Sequence, residues 1–253
     1  MSTTLVRRQW ARLWGERTLS IGLALCGLGL VVGGGLVAAI SRREGISPEA
    51  LPGLIWVEGF SFYGMVLSIL AIIVGVLQVG SDLRRGTLLP VLARPVSRAR
   101  VFLAAWTGTV LVFLALEVLK IALGSAALVT LGASMGGQGY AALVADTLGP
   151  VTLLALFAAL GAALPVPAAL GVGLLSQLLP GLAYGGWPYG ERLRPICWFL
   201  PLTNTQWPTI SSGLAGGGDS HRIVEAILYR TCWIALLLAF GCWAFSRRDV
   251  SPR

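Results

Sequence analysis

The sequence has few charged residues for its length. Of its 253 residues, 12% are charged, against about 25% in an average soluble protein. It contains a single lysine, Lys120, and a single histidine, His221. Because the phosphate-binding loop of an ATPase requires a Gly-Lys-Ser/Thr sequence, this chain carries no such loop. If ATP drives its function, another polypeptide must bind the ATP.

Cysteine is equally sparse, and its spacing excludes the usual cysteine sites. The chain has four cysteines, and no two of them stand two to four residues apart, as zinc ligands commonly do. We therefore expect neither a metal site nor a disulfide framework, and no cofactor bound by this chain. No soluble module carries basic residues interleaved with aromatic ones, so nucleic acid is not an expected partner.

The sequence offers little for catalysis. His221 stands near Ser211 and Ser212 in a glycine-rich stretch over residues 211–220, and a serine with a histidine base is the minimum for an intramembrane hydrolase. Both would lie in one loop, however, and not on facing helices that hold them in register. We interpret His221 as a polar loop residue and predict no catalytic residues.

Long apolar runs dominate the sequence. Hydrophobic residues make up 56% of the chain, and the mean hydropathy is +0.80. Six runs are long enough to cross about 30 Å of hydrocarbon as helices, and they lack the alternation of a membrane strand. We predict an all-α integral membrane protein, a single transmembrane domain over residues 1–253. The predicted spans are 19–40, 57–79, 101–131, 140–164, 166–183 and 229–245, and the prolines in the fifth leave a broken or short helix open.

The arginines predict the orientation of these spans. The first run is too long for a signal peptide, and the basic residues before it suit an interfacial helix over residues 1–18 or a simple topological flank. Twelve arginines fall on one side of the predicted membrane and six on the other, which places both termini in the cytoplasm. The six are Arg42, Arg43, Arg192, Arg194, Arg222 and Arg230. Contact with anionic lipid accounts for the net charge of +8.

Three ionisable residues fall within predicted spans: Glu117, Lys120 and Asp146. Such residues mark a functional path or a structural pair. Glu117 and Lys120 are three residues apart on one helix face and can pair with each other. Lys120 could also extend to the membrane surface if the third span ends early. We favour the structural interpretation for all three.

The connection between the second and third spans, residues 81–100, is patterned beyond what topology requires. It reads S-D-L-R-R-G-T-L-L-P-V-L-A-R-P-V-S-R-A-R. Gly86 permits a turn and Thr87 can cap a short helix. Pro95 ends that helix, and Ser97 can cap the third span. This predicts a rigid basic loop suited to docking.

This loop resembles the hallmark of the ABC-2 family of ABC transporter permeases: an acidic residue, two further residues, R/S-G-T-L, an apolar stretch and R-P-V-S-R. The matching residues include Asp82, Arg85, Gly86, Thr87, Leu88, Arg94, Pro95 and Arg98. The ending Trp243-Ala-Phe-Ser-Arg-Arg-Asp249 is also similar to that family's C-terminus. Asp82 departs from the commoner glutamate, and Pro90 could shift the register of the short helix.

The resemblance implies the ABC-2 (type V) permease fold, six transmembrane helices with the N-terminal interfacial helix. It implies a membrane subunit that pairs with a second permease subunit, as a homodimer or heterodimer, and with two cytoplasmic ATPase subunits that bind ATP and Mg²⁺. Residues 81–100 would be the coupling loop, and residues 184–228 an outer loop over the exit path. Gly29 and Gly33, in a G-x-x-x-G spacing, could serve contact between subunits or packing within one.

The resemblance implies export of a substrate across a membrane. Eighteen arginines against one lysine suggest a bacterium with GC-rich DNA, so we expect the cytoplasmic membrane as the location. Nothing in the sequence selects the substrate. Two other classes stay open. A membrane anchor or assembly factor would keep the docking loop, and an intramembrane hydrolase would need its polar groups to meet inside the bilayer.

Overall fold

The computed structural model describes residues 17–44, 47, 49–84, 97–184, 192, 197, 207–214 and 219–247, and these residues contain helices and no strand. The helices are α1 (Arg17–Glu44), α2 (Leu51–Gly53), α3 (Ser61–Arg84), α4 (Arg98–Thr130), α5 (Gly137–Ala163), α6 (Val166–Tyr184), α7 (Trp207–Leu214) and α8 (Ser220–Arg247). A π-helical segment, Leu54–Gly59, joins α2 to α3.

Four helical stretches are long and apolar enough to cross a membrane. They are Leu51–Leu77, Arg98–Thr130, Gly137–Ala163 and Ser220–Arg247, of 27, 33, 27 and 28 residues, where about 20 residues suffice. They coincide with the predicted second, third, fourth and sixth spans. The transmembrane character and the helical class are therefore confirmed to this extent. Helices α1 and α6 occupy the other two predicted spans, and their described apolar stretches, Ala24–Gly35 and Val166–Leu179, are shorter.

The structure changes one predicted boundary and shows that the fifth predicted span is a continuous helix. Helix α8 begins at Ser220, so residues 220–228, predicted as outer loop, are helical. Asp219 explains the early start, because its carboxylate accepts a hydrogen bond from the His221 backbone N–H at 3.0 Å and so caps the first turn. Helix α6 is one helix despite its prolines. Pro167 lies in its first turn, where a missing N–H costs nothing.

The second span is not a uniform α-helix. The π-helical segment ends at Gly59. The next residue, Phe60, has a φ of −100° and a ψ of 9°, which interrupts the helix before α3 starts. Helix α1 packs directly on this region. A Cβ on Gly33 would overlap the carbonyl oxygen of Gly59, and one on Gly29 would lie 3.0 Å from the Phe62 ring. Of the two interpretations of this G-x-x-x-G spacing, the structure shows packing within one chain.

Contacts at two places define the ends of the bundle. The Gln138 side-chain amide donates to the Ser220 hydroxyl at 2.8 Å, where α5 and α8 both begin. We call this the Gln138 end. At the other end, the first residue of α4, Arg98, lies 3.5 Å from the Ser246 carbonyl oxygen near the end of α8. This is the Arg98 end, and α5 and α8 run parallel between the two ends.

Close backbone approach brings α3 beside α5 in the core. A Cβ on Gly75 would lie 2.8 Å from the Phe157 Cβ, and one on Gly161 would lie 2.9 Å from the Val76 carbonyl oxygen. A smaller cluster at the Arg98 end packs Phe102 of α4 against Phe245 of α8, with ring centroids 6.1 Å apart. The helices thus converge around α5, which is buried along most of its length.

The described residues leave several predicted segments untested. Three predicted segments lie wholly or partly outside the described residues. They are residues 1–16 of the predicted interfacial helix, most of the predicted outer loop, and Arg85, Gly86, Thr87, Leu88, Arg94 and Pro95 of the predicted coupling loop. Asp82 lies within α3 and Arg98 begins α4. The predicted coupling loop, residues 81–100, therefore overlaps the end of α3 and the start of α4.

Candidate functional site: a buried charge cluster

Four ionisable residues from three helices meet inside the bundle. Glu117 and Lys120 come from α4, Asp146 from α5 and Arg230 from α8. We call these four residues the charge cluster. Two carboxylates and two cations give it a formal charge of zero, which lowers the cost of holding charges at this depth.

Lys120 bridges the two carboxylates. Its Nζ lies 2.6 Å from Glu117 Oε2 and 2.7 Å from Asp146 Oδ2. The Glu117 contact spans one turn of α4, and the Asp146 contact joins α4 to α5. The side chains of Lys120 and Glu117 are only 5% and 3% exposed. Such contacts are charge-assisted hydrogen bonds, which are stronger than neutral ones.

Two further side chains surround this bridge. The Lys120 Nζ lies 5.6 Å from the centre of the Tyr63 ring, within the range of a cation–π contact. The Thr147 hydroxyl is 3.4 Å from Glu117 Oε2 but 2.9 Å from the Leu143 carbonyl oxygen. With a single proton to donate, Thr147 bonds the nearer carbonyl, so Lys120 is the main partner of Glu117.

Arg230 ties α8 to α5 through the backbone. It is 3% exposed, and its Nη1 donates to the Ala145 carbonyl oxygen. The local sequence of α5 allows this approach. Gly149 has no side chain, and a Cβ there would lie 3.1 Å from Arg230 Nη1.

A cavity of about 440 Å³ opens beside the charge cluster. All four charged residues line it, together with Trp56, Phe60 and Gln177 among others. Its walls come from the second-span region, α4, α5, α6 and α8. The volume falls in the range of about 300–1,000 Å³ that is typical of small-molecule sites.

The structure brings together the three intramembrane residues that the sequence singled out. Helix α4 continues ten residues past Lys120 to Thr130, which is about 15 Å along its axis. Lys120 therefore lies well inside the helix and turns back to Glu117, so it does not extend to the membrane surface. The pairing of Glu117 with Lys120 is observed, and Asp146 joins the same cluster.

Sequence reasoning missed Arg230, which was counted as a flanking arginine of the outer face. Two signals could have found it. Asp219-Ser220 is a helix-start sequence, and Ile223, Ala226 and Ile227 follow at helical spacing, which predicts an earlier start of α8. Gly149, four residues after Ala145 in α5, marks a place where a side chain from another helix can approach the backbone closely.

The residues considered for hydrolysis are arranged differently. His221 lies on α8, 78% exposed, with Nδ1 3.2 Å from Glu225 Oε1. Ser211 and Ser212 lie on α7 and not in a loop, and the Ser212 hydroxyl donates to the Thr209 carbonyl at 2.9 Å. These contacts direct His221 along its own helix and Ser212 toward its own backbone. Among the described residues, no three His, Cys, Asp or Glu side chains converge to hold a metal ion.

No protein-family model matches the chain, and no match is found among curated proteins. A functional assignment therefore depends on the sequence pattern between α3 and α4 and on the geometry of the bundle.

Proposed function

We propose that the chain is the membrane-spanning permease subunit of an ABC exporter of the ABC-2 type. In this proposal it carries a substrate outward while a separate ATPase subunit hydrolyses ATP. The observation that carries the proposal is the pattern from Asp82 to Arg98, with Arg85-Gly86-Thr87-Leu88 followed by Arg94-Pro95-Val96-Ser97-Arg98.

The position of this pattern in the fold supports the proposal. Helix α3 ends at Arg84 and α4 begins at Arg98, so the pattern occupies a short connection between two apolar helices. Arg98 lies 3.5 Å from the Ser246 carbonyl oxygen. The second region of resemblance, the ending that contains Arg247, Arg248 and Asp249, therefore starts at the same end of the bundle. A docking surface for one cytoplasmic partner needs its parts on one side of the membrane.

The proposed topology has six spans with both termini in the cytoplasm of a bacterium. It adds α1, with 28 residues, and α6, with 19 residues, to the four long apolar stretches. The Arg98 end then faces the cytoplasm and the Gln138 end faces outward. In this arrangement α7 packs at the outer end, where a Cβ on Gly213 would meet Ile223 of α8 and Ala142 of α5 at 2.8 and 2.9 Å.

The proposed mechanism transmits ATPase closure through residues 81–100. Two ATPase subunits, with their ATP and Mg²⁺, would dock on these residues from two permease subunits, which form a homodimer or a heterodimer. Arg85, Thr87 and Arg94 would make the contact, and Pro95 would keep the loop stiff. Because the loop joins α3 and α4 directly, its displacement would change how these helices pack on α5.

The test is co-purification of the chain from its native host with any bound ATPase subunit. The variant Arg85→Glu/Arg94→Glu reverses two charges in the proposed contact. The matched control, Arg42→Glu/Arg43→Glu, makes the same change near the end of α1, on the opposite predicted face. We expect ATPase activity to copurify with the wild type and the control and to be lost in the first variant. A folded wild type that brings no ATPase would contradict the proposal and return attention to the membrane-anchor and hydrolase interpretations.

A further inference from the structure

The cavity beside the charge cluster is larger than ion pairing requires. Glu117, Lys120 and Asp146 could satisfy one another in a close-packed interior, yet about 440 Å³ of space lies against them. Most core space in proteins is filled at the density of an organic crystal. A space of this size, with mostly apolar walls and a few charged groups, has the features of a ligand site.

The exposed charge in this site is negative. The Asp146 side chain is 24% exposed, whereas those of Lys120 and Glu117 are 5% and 3%. Both contacts of Lys120 are to carboxylates, and the contact of Asp146 with Lys120 uses Oδ2 alone. Among the described residues, no donor bonds the other Asp146 oxygen, Oδ1. Arg230, the other cation of the cluster, is 3% exposed. A ligand in the cavity can therefore reach a carboxylate oxygen more readily than either cation.

The wall of the cavity also suits an apolar body. Trp56 and Phe60 line the cavity but are each only 4% exposed, whereas Met65, which also lines it, is 53% exposed. The flexible methionine side chain can pack on apolar groups of varied shape. A hydrated metal ion fits this wall poorly, since Ca²⁺ and Mg²⁺ require several oxygen ligands.

We propose that this cavity binds a monovalent organic cation with an apolar body, whose charged group lies at Asp146 and whose body packs on the apolar wall that includes Met65. Binding needs only the bundle of this chain. The step from binding to transport, with such a cation as the exported substrate, depends on the proposed permease function.

The test uses two probes of nearly the same shape and opposite charge, tetraphenylphosphonium and tetraphenylborate. Each is titrated into the purified chain in phosphatidylcholine nanodiscs, and partitioning into empty nanodiscs is subtracted. Binding is followed by calorimetry and by tryptophan fluorescence. We expect saturable binding of the phosphonium at least about tenfold tighter than that of the borate, the difference that about 1.4 kcal/mol produces.

Two variants locate the binding. Gly64 lines the cavity, and a Cβ there meets open space, so Gly64→Leu should fill the cavity without disturbing any charge. Gly171→Leu on α6 is the matched control, because Gly171 also faces open space and does not line the cavity. Asp146→Asn removes the charge. We expect phosphonium affinity to fall about tenfold or more in Gly64→Leu and Asp146→Asn and to be unchanged in Gly171→Leu.

Two results would overturn the proposal. Equal phosphonium binding by wild type and Gly64→Leu would show that the probe binds elsewhere, and this comparison holds even if Asp146→Asn does not fold. Tighter, Gly64-dependent binding of the borate would show an anion site instead. No ATPase takes part in the cation titration. A failure to bind the phosphonium would therefore leave the permease proposal unaffected. A failure of ATPase co-purification would likewise leave the cation-binding proposal unaffected.

Discussion

Lys120 Nζ lies 2.7 Å from Asp146 Oδ2 and so joins α4 to α5 inside the bundle. The same nitrogen is 2.6 Å from Glu117 Oε2. One cation thus compensates two carboxylates that would otherwise face each other in a region of low dielectric constant.

Removing this cation is expected to destabilise the fold strongly. Lys120→Met keeps most of the side-chain volume but leaves the buried Glu117 and the partly exposed Asp146 without their bridge. Loss of one partner from a buried ion pair costs about 3–5 kcal/mol, so the unfolding temperature in detergent should fall clearly below that of the wild type.

Leu119→Met is the control for this change, because Leu119 is a neighbouring, exposed residue of α4 and should tolerate methionine. The double variant Glu117→Gln/Lys120→Met leaves Asp146 and Arg230, so the cluster keeps a formal charge of zero, and it should recover much of the loss. Unchanged thermal stability of Lys120→Met would refute the bridging role.

Two adjacent glycines of α1 should respond oppositely to alanine. A Cβ on Gly33 would overlap the Gly59 carbonyl oxygen, whereas a Cβ on Gly34 meets open space. Gly33→Ala must push α1 away from the π-helical segment and should cost about 1–3 kcal/mol. Gly34→Ala should be neutral or stabilising by up to about 1 kcal/mol, because alanine favours the helix. Thermal unfolding of both variants in one detergent decides this, and equal effects would contradict the close approach.

The proposed orientation predicts which residues are accessible from outside the cell. In a background with the four cysteines replaced, Gln138→Cys and Ser220→Cys should react with a membrane-impermeant maleimide on intact cells. Ser246→Cys, at the Arg98 end, should react only after the membrane is opened. The reverse pattern would show that the Arg98 end faces outward and would exclude docking of a cytoplasmic ATPase there.

His221 should be dispensable for stability and for partner binding. It is 78% exposed and contacts Glu225 on its own helix, so His221→Ala should change the free energy of unfolding by less than about 0.5 kcal/mol. Ser211→Ala/Ser212→Ala should likewise leave ATPase co-purification unchanged. If His221→Ala and Ser211→Ala/Ser212→Ala each abolished the activity of the chain while the ATPase still bound, the result would support the hydrolase interpretation.

The helices were predictable because continuous apolar runs and turn residues determine them locally. Helix α4 ends where Gly132 adopts a φ of +73°, a conformation that glycine permits, and the predicted third span ends there as well. The pairing of Glu117 with Lys120 follows from their spacing on one helix. Asp146 and Arg230 could not be placed beside them in this way, because their contacts depend on which helices are neighbours. The break at Phe60 also has no local sequence signal that we recognised.

The contacts between α5 and α8 have a mechanical consequence. The two helices are fastened at the Gln138 end by an amide and a hydroxyl and midway by a guanidinium on a carbonyl. At the far end they are packed together through the small cluster that contains Ala158 and Phe245. Since they run parallel and are joined at these three places, we expect a force on the end of α8 to displace both helices together. Movement at one membrane surface would then reach the other surface without bending either helix.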